Sequence, residues 1–231
     1  MIPLHFFGKG AAFYPAFGNT NAWFTAGEEL FFLDFGEAAF EKAVKLPELT
    51  ACRKITVLLT HLHADHAGSL PSLCSYCAMV LGRHVNIVYP TRAVVDFLTI
   101  TGICPDFYTW MTDLPGDSPI RVRALPVQHA KDMACFGYKI SDGEETIYFS
   151  GDAAEPPAEV IDAFLAHRIA RIYHDTSSHE SSSHCWYKRL EAAIPQEHRK
   201  RVFCMHLDGD YADMLHALGF SVVEAESSRR E

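Results

Sequence analysis

The sequence predicts a mixed α/β domain, and three observations support this fold class. Its 231 residues are enough for one domain with a sizeable core. Short apolar runs rich in β-branched residues alternate with helical patterns, without an internal repeat or a long linker. Polar residues of the kinds that bind metals follow the ends of several predicted strands. We therefore expect a single domain over residues 1–231, with its functional site at strand ends.

The first third of the chain is predicted to form an antiparallel meander and then a buried strand. The meander strands are Leu4–Phe7, Ala22–Phe24 and Leu30–Asp34, with glycines at the turns between them. Ile55–Thr60 is a compact apolar run typical of a central strand. A helix is expected to follow from Gly68 to about Leu81.

The rest of the chain is predicted to continue this alternation. Further strands are expected at Asn86–Tyr89, Ile120–Val127, Phe136–Ile140, Thr146–Ser150, Ile169–Tyr173 and Val202–Met205. Helices are expected from a Thr91 cap to near Gly102, from Pro157 to about Arg168, and at Trp186–Ala193 and Tyr211–Leu218. Asp142-Gly143, between two of these strands, is a strong hairpin signal.

Composition indicates a cytoplasmic protein without a membrane segment. Hydrophobic residues make up 48% of the chain and charged residues 21%, as in ordinary globular proteins. No apolar run approaches the roughly 18–20 residues needed to cross a bilayer, and Met1–Gly10 lacks the pattern of a signal peptide. Seven cysteines without framework spacing favour reduced thiols. Cys74 and Cys77 form a lone Cys-x-x-Cys at helical spacing, which indicates core packing.

Charge limits the class of substrate. The formal net charge of −9 argues against broad binding to long nucleic acids, which requires a basic surface. A small phosphorylated substrate remains compatible with this charge, because bound metal ions supply local positive charge. The chain contains 13 histidines, and their placement decides the chemistry.

The most specific motif is His61-Leu62-His63-Ala64-Asp65-His66, directly after the predicted strand at 55–60. Imidazole and carboxylate groups suit Zn²⁺, Mn²⁺ or Fe²⁺. We expect His61 and His63 to share one ion, and Asp65 and His66 to face a second. The alternative is a surface loop that happens to be rich in histidine, and further candidate ligands elsewhere argue against it.

Four more polar residues lie at or just past strand ends, and these are His129, Asp152, Asp175 and His206. Loops that leave strand ends along one edge of a sheet can bring distant residues together. Taken one at a time, position 129 could be an ordinary loop histidine, position 152 a turn residue and position 206 a core histidine.

The His-x-His-x-Asp-His pattern resembles the signature of the metallo-β-lactamase superfamily. Later segments resemble that family in the same order along the chain, namely Leu33-Asp34-Phe35-Gly36, Gln128-His129, Phe149-Ser150-Gly151-Asp152 and Met205-His206-Leu207. The resemblance implies a four-layer αββα sandwich with two mixed β-sheets. It also implies that Asp34 supports a ligand histidine by a hydrogen bond.

The same resemblance implies seven ligands for two divalent metal ions. His61, His63 and His129 would bind the first ion, Asp65, His66 and His206 the second, and Asp152 would bridge both. Zn²⁺ is expected, and Mn²⁺ and Fe²⁺ are compatible with the same donors. The implied reaction is hydrolysis by a metal-bridging hydroxide, with Asp65 orienting the water.

A second constellation resembles the ribonuclease Z-like branch of this superfamily. Asp175 ends a predicted strand, and His184 follows in a loop rich in serine and histidine. In that branch an acidic residue holds a histidine that protonates the leaving oxygen of a phosphodiester. We therefore expect Asp65, Asp175 and His184 to be catalytic, with His184 as the general acid. The alternative for His184 is a place in a solvated loop.

Departures from ribonuclease Z favour a small substrate. Ala64 replaces a usual glycine, and Asp175 stands where glutamate is usual. The interval from His129 to Asp152 holds only the predicted hairpin, where ribonuclease Z carries a projecting tRNA-binding arm. Asp208 and Asp210 would also repel a polyanion. The chain therefore resembles the arm-less phosphodiesterases of the branch, and we expect it to act on small phosphodiesters or cyclic nucleotides, not on long nucleic acid.

Three other functions remain open from the sequence. They are a ribonuclease Z-like endoribonuclease acting on tRNA, a lactonase or thioesterase on the same metal site, and a non-catalytic binding module. His184 distinguishes an enzyme that cleaves phosphodiesters from a lactonase, because a lactonase needs no such proton donor. The resemblance also implies a homodimer. Phe107–Trp110, in a proline-flanked stretch, is predicted to form a substrate wall.

Overall fold

Two six-stranded mixed sheets lie at the centre of the structure, a computed structural model that describes residues 1–226. The first sheet contains β1 to β6, at His5–Phe6, Ala22–Ala26, Glu29–Leu33, Lys54–Leu58, Val85–Val88 and Tyr108–Met111. Its strands are ordered as in the sequence. β1, β2 and β3 are antiparallel, as the meander predicted, and β3 to β6 are parallel.

The second sheet contains β7 to β12, at Arg121–Pro126, Phe136–Ser141, Thr146–Phe149, Arg171–Asp175, Val202–Met205 and Ser221–Val222. β7, β8 and β9 pair in antiparallel fashion, and β9 to β12 are parallel. The predicted hairpin is therefore confirmed, with Gly143 at φ 91° in its turn. It fills the interval between His129 and Asp152, which leaves no room for a projecting arm.

Within residues 1–226, eight α-helices lie outside the sheets. They are α1 to α8, at Ala39–Ala43, Pro47–Ala51, Ala64–Ala67, Leu70–Met79, Ala93–Ile100, Ala158–Leu165, Tyr187–Ala193 and Ala212–Ala217. Short 3₁₀ turns occur at Pro15–Phe17, Pro105–Phe107 and Gln196–Arg201. Within residues 1–226 no helix combines the length and apolar character needed to cross a membrane.

Alternate residues of β3 show how the strands build the layers. Leu30 and Phe32 pack into the cluster between the first sheet and helices α1, α2, α4 and α5. Phe31 and Leu33 point the other way, into the cluster between the two sheets. A strand buried on both faces requires this continuous apolar sequence, because successive side chains alternate between the faces.

Three apolar clusters separate four layers, and the predicted αββα sandwich is confirmed. The central cluster joins residues of both sheets, such as Leu58 from β4 and Phe149 from β9. A third cluster packs the second sheet against α6, α7 and α8, with Phe164 and Leu215 fully buried. Burial of this apolar surface is the main force that holds the two sheets and their helices together.

Several local predictions differ from the structure. The expected helix at 68–81 is shorter, and α3 precedes it inside the histidine motif, where a loop was expected. The prediction that Thr91 caps the next helix was wrong, because α5 begins after Arg92 and has no side-chain cap. The short elements α1, α2, β6 and β12 were not predicted, because each is too short for a periodic signal.

The predicted substrate wall at Phe107–Trp110 was also wrong. Tyr108–Met111 forms β6, the edge strand of the first sheet. Phe107 and Trp110 pack against the helix-facing cluster, and Trp110 Nε1 donates a hydrogen bond to Tyr89 O at 2.9 Å. These aromatic rings therefore belong to the core and its edge.

All seven cysteines are free thiols. Cys74 and Cys77 are buried in the cluster beneath the first sheet, and burial raises the pKa of each thiol to about 12. Both side chains therefore contribute to core packing, as their helical spacing indicated.

Candidate metal centre

The seven predicted ligands converge into two groups at the carboxyl ends of β4, β7, β9 and β11. Group one consists of His61, His63, His129 and Asp152, and group two of Asp65, His66, His206 and Asp152. Within each group the ligand atoms lie within 4.8 Å of one another. His63 is half-buried and the other six residues are buried. Asp152 is the residue that both groups share.

The atoms of group one surround a position large enough for one cation. His63 Nδ1 lies 2.9 Å from His61 Nε2 and 3.2 Å from His129 Nε2. Asp152 Oδ2 lies 3.8 Å from His61 Nε2 and 3.5 Å from His129 Nε2. Ligand atoms around a tetrahedral zinc ion, with bonds of about 2.0–2.1 Å, lie roughly 3.3 Å apart. The observed spacing is close to this value.

Group two has the same spacing around a second position. His66 Nε2 lies 3.1 Å from Asp65 Oδ2 and 3.2 Å from Asp152 Oδ1. His206 Nε2 lies 3.2 Å and 3.4 Å from the same two oxygens. Asp152 thus turns Oδ2 toward group one and Oδ1 toward group two, which is the geometry of a bridging carboxylate.

Three buried atoms of these seven residues have no hydrogen-bond partner among residues 1–226, and they are His66 Nε2, Asp152 Oδ1 and His206 Nδ1. The first two face each other at 3.2 Å in group two. Unpaired buried polar atoms are costly, so such atoms require a cation or a proton between them. Burial lowers the pKa of His66, but the charges of Asp152, Asp34 and Asp65 raise it well above its ordinary value. A proton therefore takes this place when no metal ion does, and the donor set fits divalent cations.

Asp34 positions the group-two ligand His66. His66 Nδ1 donates a hydrogen bond to Asp34 Oδ2 at 2.8 Å, which turns Nε2 toward the cluster. The backbone N–H and the hydroxyl of Thr60 donate to the same carboxylate at 2.7 and 2.8 Å. Asp34 follows β3 with φ 62°, a conformation uncommon for a residue with a side chain. The sequence predicted that Asp34 supports one of the predicted ligand histidines, and the structure shows that this histidine is His66.

Asn21 supports the site in a way that the sequence did not reveal. Its Nδ2 donates to Thr20 O at 2.9 Å, within its own turn, and also to Asp65 O at 3.0 Å. Its Oδ1 accepts from Gly36 N at 2.9 Å. Asn21 therefore joins two loops that are distant in the sequence. In the sequence, the only indication of this role was that the polar residue Asn21 directly precedes an apolar strand.

His184 and Asp175 form a hydrogen-bonded pair at the edge of the cluster. His184 Nδ1 donates to Asp175 Oδ2 at 2.8 Å, and Ala153 N donates to the same oxygen at 3.1 Å. Asp175 Oδ1 lies 3.5 Å from Nδ1 of the group-two residue His206. The His184 ring stacks on the His206 ring with centroids 5.1 Å apart. The pair is therefore directly connected to the metal-ligand groups.

Asp175 and His184 each stabilise the charged form of the other. Burial lowers the pKa of His184, but the hydrogen bond and the charge of Asp175 raise it above its ordinary value. Burial raises the pKa of Asp175, but hydrogen bonds from His184 and His206 bring it below its ordinary value. An ionised carboxylate therefore holds a protonated imidazole beside the cluster.

Comparison with known proteins identifies the family. The profile described as "Beta-lactamase superfamily domain" matches residues 26–207, which cover most of the chain and all seven ligands. The chain belongs to the metallo-β-lactamase superfamily. The resemblance inferred from the histidine motif is thereby confirmed.

Three proteins of known sequence or structure are similar to this chain. The Anti-Pycsar protein Apyc1 of Bacillus phage BSP38 is 25% identical over 242 residues, covering 92% of this chain and 91% of the relative. The crystal structure of the metallo-β-lactamase fold protein YhfI from Bacillus subtilis has a TM-score of 0.78 at 14% identity, and the match covers 96% of both chains. The short form of human tRNase Z (ELAC1) has a TM-score of 0.71 at 18% identity, covering 98% of both. The two solved structures share the four-layer fold described above.

A cleft of about 240 Å³ adjoins the cluster and is lined in part by His184 and His206. A more open depression of about 410 Å³ lies between Glu155 and Arg189 and contains none of the seven ligands. The first cleft is therefore the candidate entrance for a substrate. Of its remaining lining residues, the sequence analysis used only Asp208, as a group that repels a polyanion.

Proposed function

We propose that this chain is a dinuclear metal-dependent phosphodiesterase that acts on small phosphodiesters or cyclic nucleotides. The pair formed by His184 and Asp175, next to the two ligand groups, is the observation that carries the proposal. Membership of a superfamily of metal-dependent hydrolases accounts for the metal chemistry. The pair adds a proton donor, which a leaving alkoxide of a phosphodiester requires.

The residues that would hold the metals are those of groups one and two, and we propose Zn²⁺ in both positions, with Mn²⁺ or Fe²⁺ as alternatives. Two bound divalent cations lower the pKa of a coordinated water and neutralise charge on phosphoryl oxygens. Asp65, whose carboxylate faces the second position, orients the attacking water.

His184 is the general acid in this proposal. Its Nδ1 donates to Asp175, so the other ring nitrogen, Nε2, carries the proton that the leaving oxygen receives. The side chain is 31% exposed and lines the cleft, whereas Asp175 is fully buried. Asp175 is a positioning residue, because it fixes the imidazole ring and stabilises its protonated form.

A small substrate is favoured over tRNA by three features of the molecule. The hairpin of β8 and β9 replaces any projecting arm, the net charge is −9, and Asp208 lines the cleft. The chain also matches the Apyc1 protein of Bacillus phage BSP38 over 92% of its own length and 91% of that protein, so the two are of similar size. The cytoplasmic location and the homodimer stay predictions.

The test is hydrolysis by the metal-reconstituted protein, with wild type compared with His184→Ala. The substrates are bis(p-nitrophenyl) phosphate, 2′,3′- and 3′,5′-cyclic nucleotides and a precursor tRNA. We expect turnover of the small diesters and a loss of roughly 100- to 10,000-fold in the variant, which is typical for removal of a general acid. His84→Ala, an exposed histidine far from the ligand motif in the sequence, is the matched control and should keep full activity.

Other outcomes would contradict the proposal. Absence of diester cleavage, with metals bound and the fold intact, would favour a lactonase or a thioesterase on the same site. Cleavage of precursor tRNA alone would favour the endoribonuclease. Full activity of His184→Ala on small diesters would remove His184 from the mechanism.

A further inference from the structure

The cleft beside the metal-ligand groups has a wall that the proposed reaction does not use. Besides His184 and His206, it is lined by Phe13 and Tyr14 from the N-terminal loop, and by His179 and Asp208. Its volume of about 240 Å³ is somewhat below the roughly 300–1,000 Å³ of sites that hold a whole drug-sized ligand. The cleft therefore suits one ring-sized part of a substrate whose reacting group lies at the metals.

The loop that carries Phe13 is fastened next to the metal ligand His206. Ala11 N donates a hydrogen bond to the carbonyl oxygen of Leu207, the residue after His206, at 2.9 Å. Tyr14 N donates to Ala11 O at 3.0 Å and closes a turn around Phe13. Phe13 is 100% exposed, so its ring has no apolar contact in the free protein although its backbone is fixed.

The polar part of the cleft is also held in place. Asp208 Oδ2 accepts a hydrogen bond from Ser177 Oγ at 2.8 Å and lies 3.0 Å from His179 Nδ1. Ser178 N donates to Asp208 Oδ1 at 3.0 Å. His179 Nε2 has no hydrogen-bond partner in the described part of the chain, and the side chain is 73% exposed. His179 therefore presents a free ring nitrogen at the cleft.

The charge of Asp208 orients any substrate in this cleft. Its carboxylate lines the cleft two residues after His206. An ionised carboxylate repels a phosphate, whereas the cations expected in groups one and two attract it. The phosphate end therefore belongs at the metals, and the uncharged end of the substrate belongs in the cleft.

We infer that Phe13 is the stacking surface for the nucleobase of a small nucleotide diester, with His179 as a polar contact to the same nucleotide. The inference rests on the proposed function and names the substrate class more closely. Aromatic side chains stack on bases because every base has a π face, and one such contact changes affinity by roughly 5- to 150-fold. Asp208 is a positioning residue that fixes the His179 ring.

The experiment measures binding to the Zn²⁺-loaded protein by calorimetry, with the four ribonucleoside 5′-monophosphates and with ribose 5-phosphate. Ribose 5-phosphate has the sugar and the phosphate but no base. We expect Phe13→Ala to weaken the binding of at least one nucleotide by roughly 5-fold or more. The affinity of this variant for ribose 5-phosphate should be unchanged. Phe13→Tyr should restore nucleotide binding. Ile100→Ala, which removes another exposed apolar side chain outside the cleft, is the matched control.

The outcomes separate this inference from the proposed function. Equal affinity of wild type and Phe13→Ala for all nucleotides, or an equal loss for ribose 5-phosphate, would overturn the stacking role. A change in molecular mass of the Phe13→Ala variant in solution would also overturn it, because the ring would then be a contact between copies of this chain. Base-dependent binding without hydrolysis of any diester would support the cleft and contradict the phosphodiesterase.

Discussion

Asp175 touches two histidines with different proposed tasks, and this arrangement controls the proton on His184. One oxygen of Asp175 accepts the hydrogen bond from His184, and the other faces Nδ1 of the ligand His206. Because Asp175 is fully buried, its charge is poorly screened by water. A single carboxylate thus stabilises the protonated form of the proposed acid and orients a metal ligand.

Replacement of Asp175 by asparagine should shift the pH dependence of diester hydrolysis. Asp175 raises the pKa of His184, so the variant should lose the His184 proton at lower pH than wild type. A general acid acts only while protonated, and the alkaline limb of the kcat/KM profile should therefore move to lower pH. The loss of activity should be larger near pH 9 than near pH 6.

The measurement is the profile of kcat/KM for bis(p-nitrophenyl) phosphate between about pH 5.5 and pH 9.5, with metal content determined for each protein. Asp106→Asn, an exposed aspartate in the 3₁₀ turn before β6, serves as the control and should leave the profile unchanged. An alkaline limb at the same pH in Asp175→Asn and wild type would contradict the assigned role.

At the scale of elements, close approach of two loops sets the geometry of the cluster. Gly36, after β3, lies against the backbone of Asp65 in α3, and a Cβ at Gly36 would overlap the Asp65 carbonyl oxygen. Asn21 bonds to both loops at this place. The loop that carries Asp34 and the helix that carries Asp65 and His66 are therefore held in one register.

Gly36→Ala should separate these loops and weaken metal binding. We expect destabilisation of roughly 1–3 kcal/mol from overpacking, and a lower metal content after dialysis because His66 loses its alignment with Asp34. Thermal unfolding and metal analysis by mass spectrometry test both effects. Gly116→Ala is the control, since no atom lies within 4 Å of a Cβ at that exposed position. Unchanged metal content in Gly36→Ala would show that the contact does not position the ligands.

At the scale of the whole molecule, the site joins two sheets that share one buried core. His61, His63, Asp65 and His66 come from the first sheet, and His129, Asp152 and His206 come from the second. Metal ions bound as proposed would therefore link the two halves of the sandwich. Ions that bind only the folded chain stabilise it, and the stabilisation grows with the logarithm of their concentration above the dissociation constant.

Metal binding should release protons and tighten as the pH rises. Burial lowers the pKa of His206, but the charges of Asp152 and Asp175 and the contact with Asp65 raise it to about 10 without metal. The pKa of His66 is also raised. Both residues carry a proton near neutral pH that a metal ion must displace, so affinity should increase from about pH 6 to pH 9.

Calorimetry in buffers of different ionisation enthalpy counts the protons, and we expect roughly two released per two Zn²⁺ bound near pH 7. His61 contributes none, because burial lowers its pKa well below its ordinary value and it is already neutral. Affinity that is constant or falls between these pH values would contradict the proposal that these histidines are ligands.

The sequence by itself predicted the fold class and the seven residues that lie together in groups one and two. Apolar runs such as Ile55–Thr60 are long enough to be recognised as strands, and ligands that follow strand ends are brought together by the sheets. The pairing of His184 with Asp175 was also predicted, because both lie in one strand-end segment and the following loop. In these cases the information is local or follows from the order of strands.

The tertiary structure alone decided which side chains support and surround the site. Asn21 reaches the loops of Gly36 and Asp65, and Phe13 lies at the cleft because its turn is bonded to Leu207. The aromatic rings at Phe107–Trp110, which the sequence favoured as the substrate wall, are packed at the far edge of the first sheet. Neighbours that are distant in the sequence leave no periodic pattern, since their contact depends on how the whole chain packs.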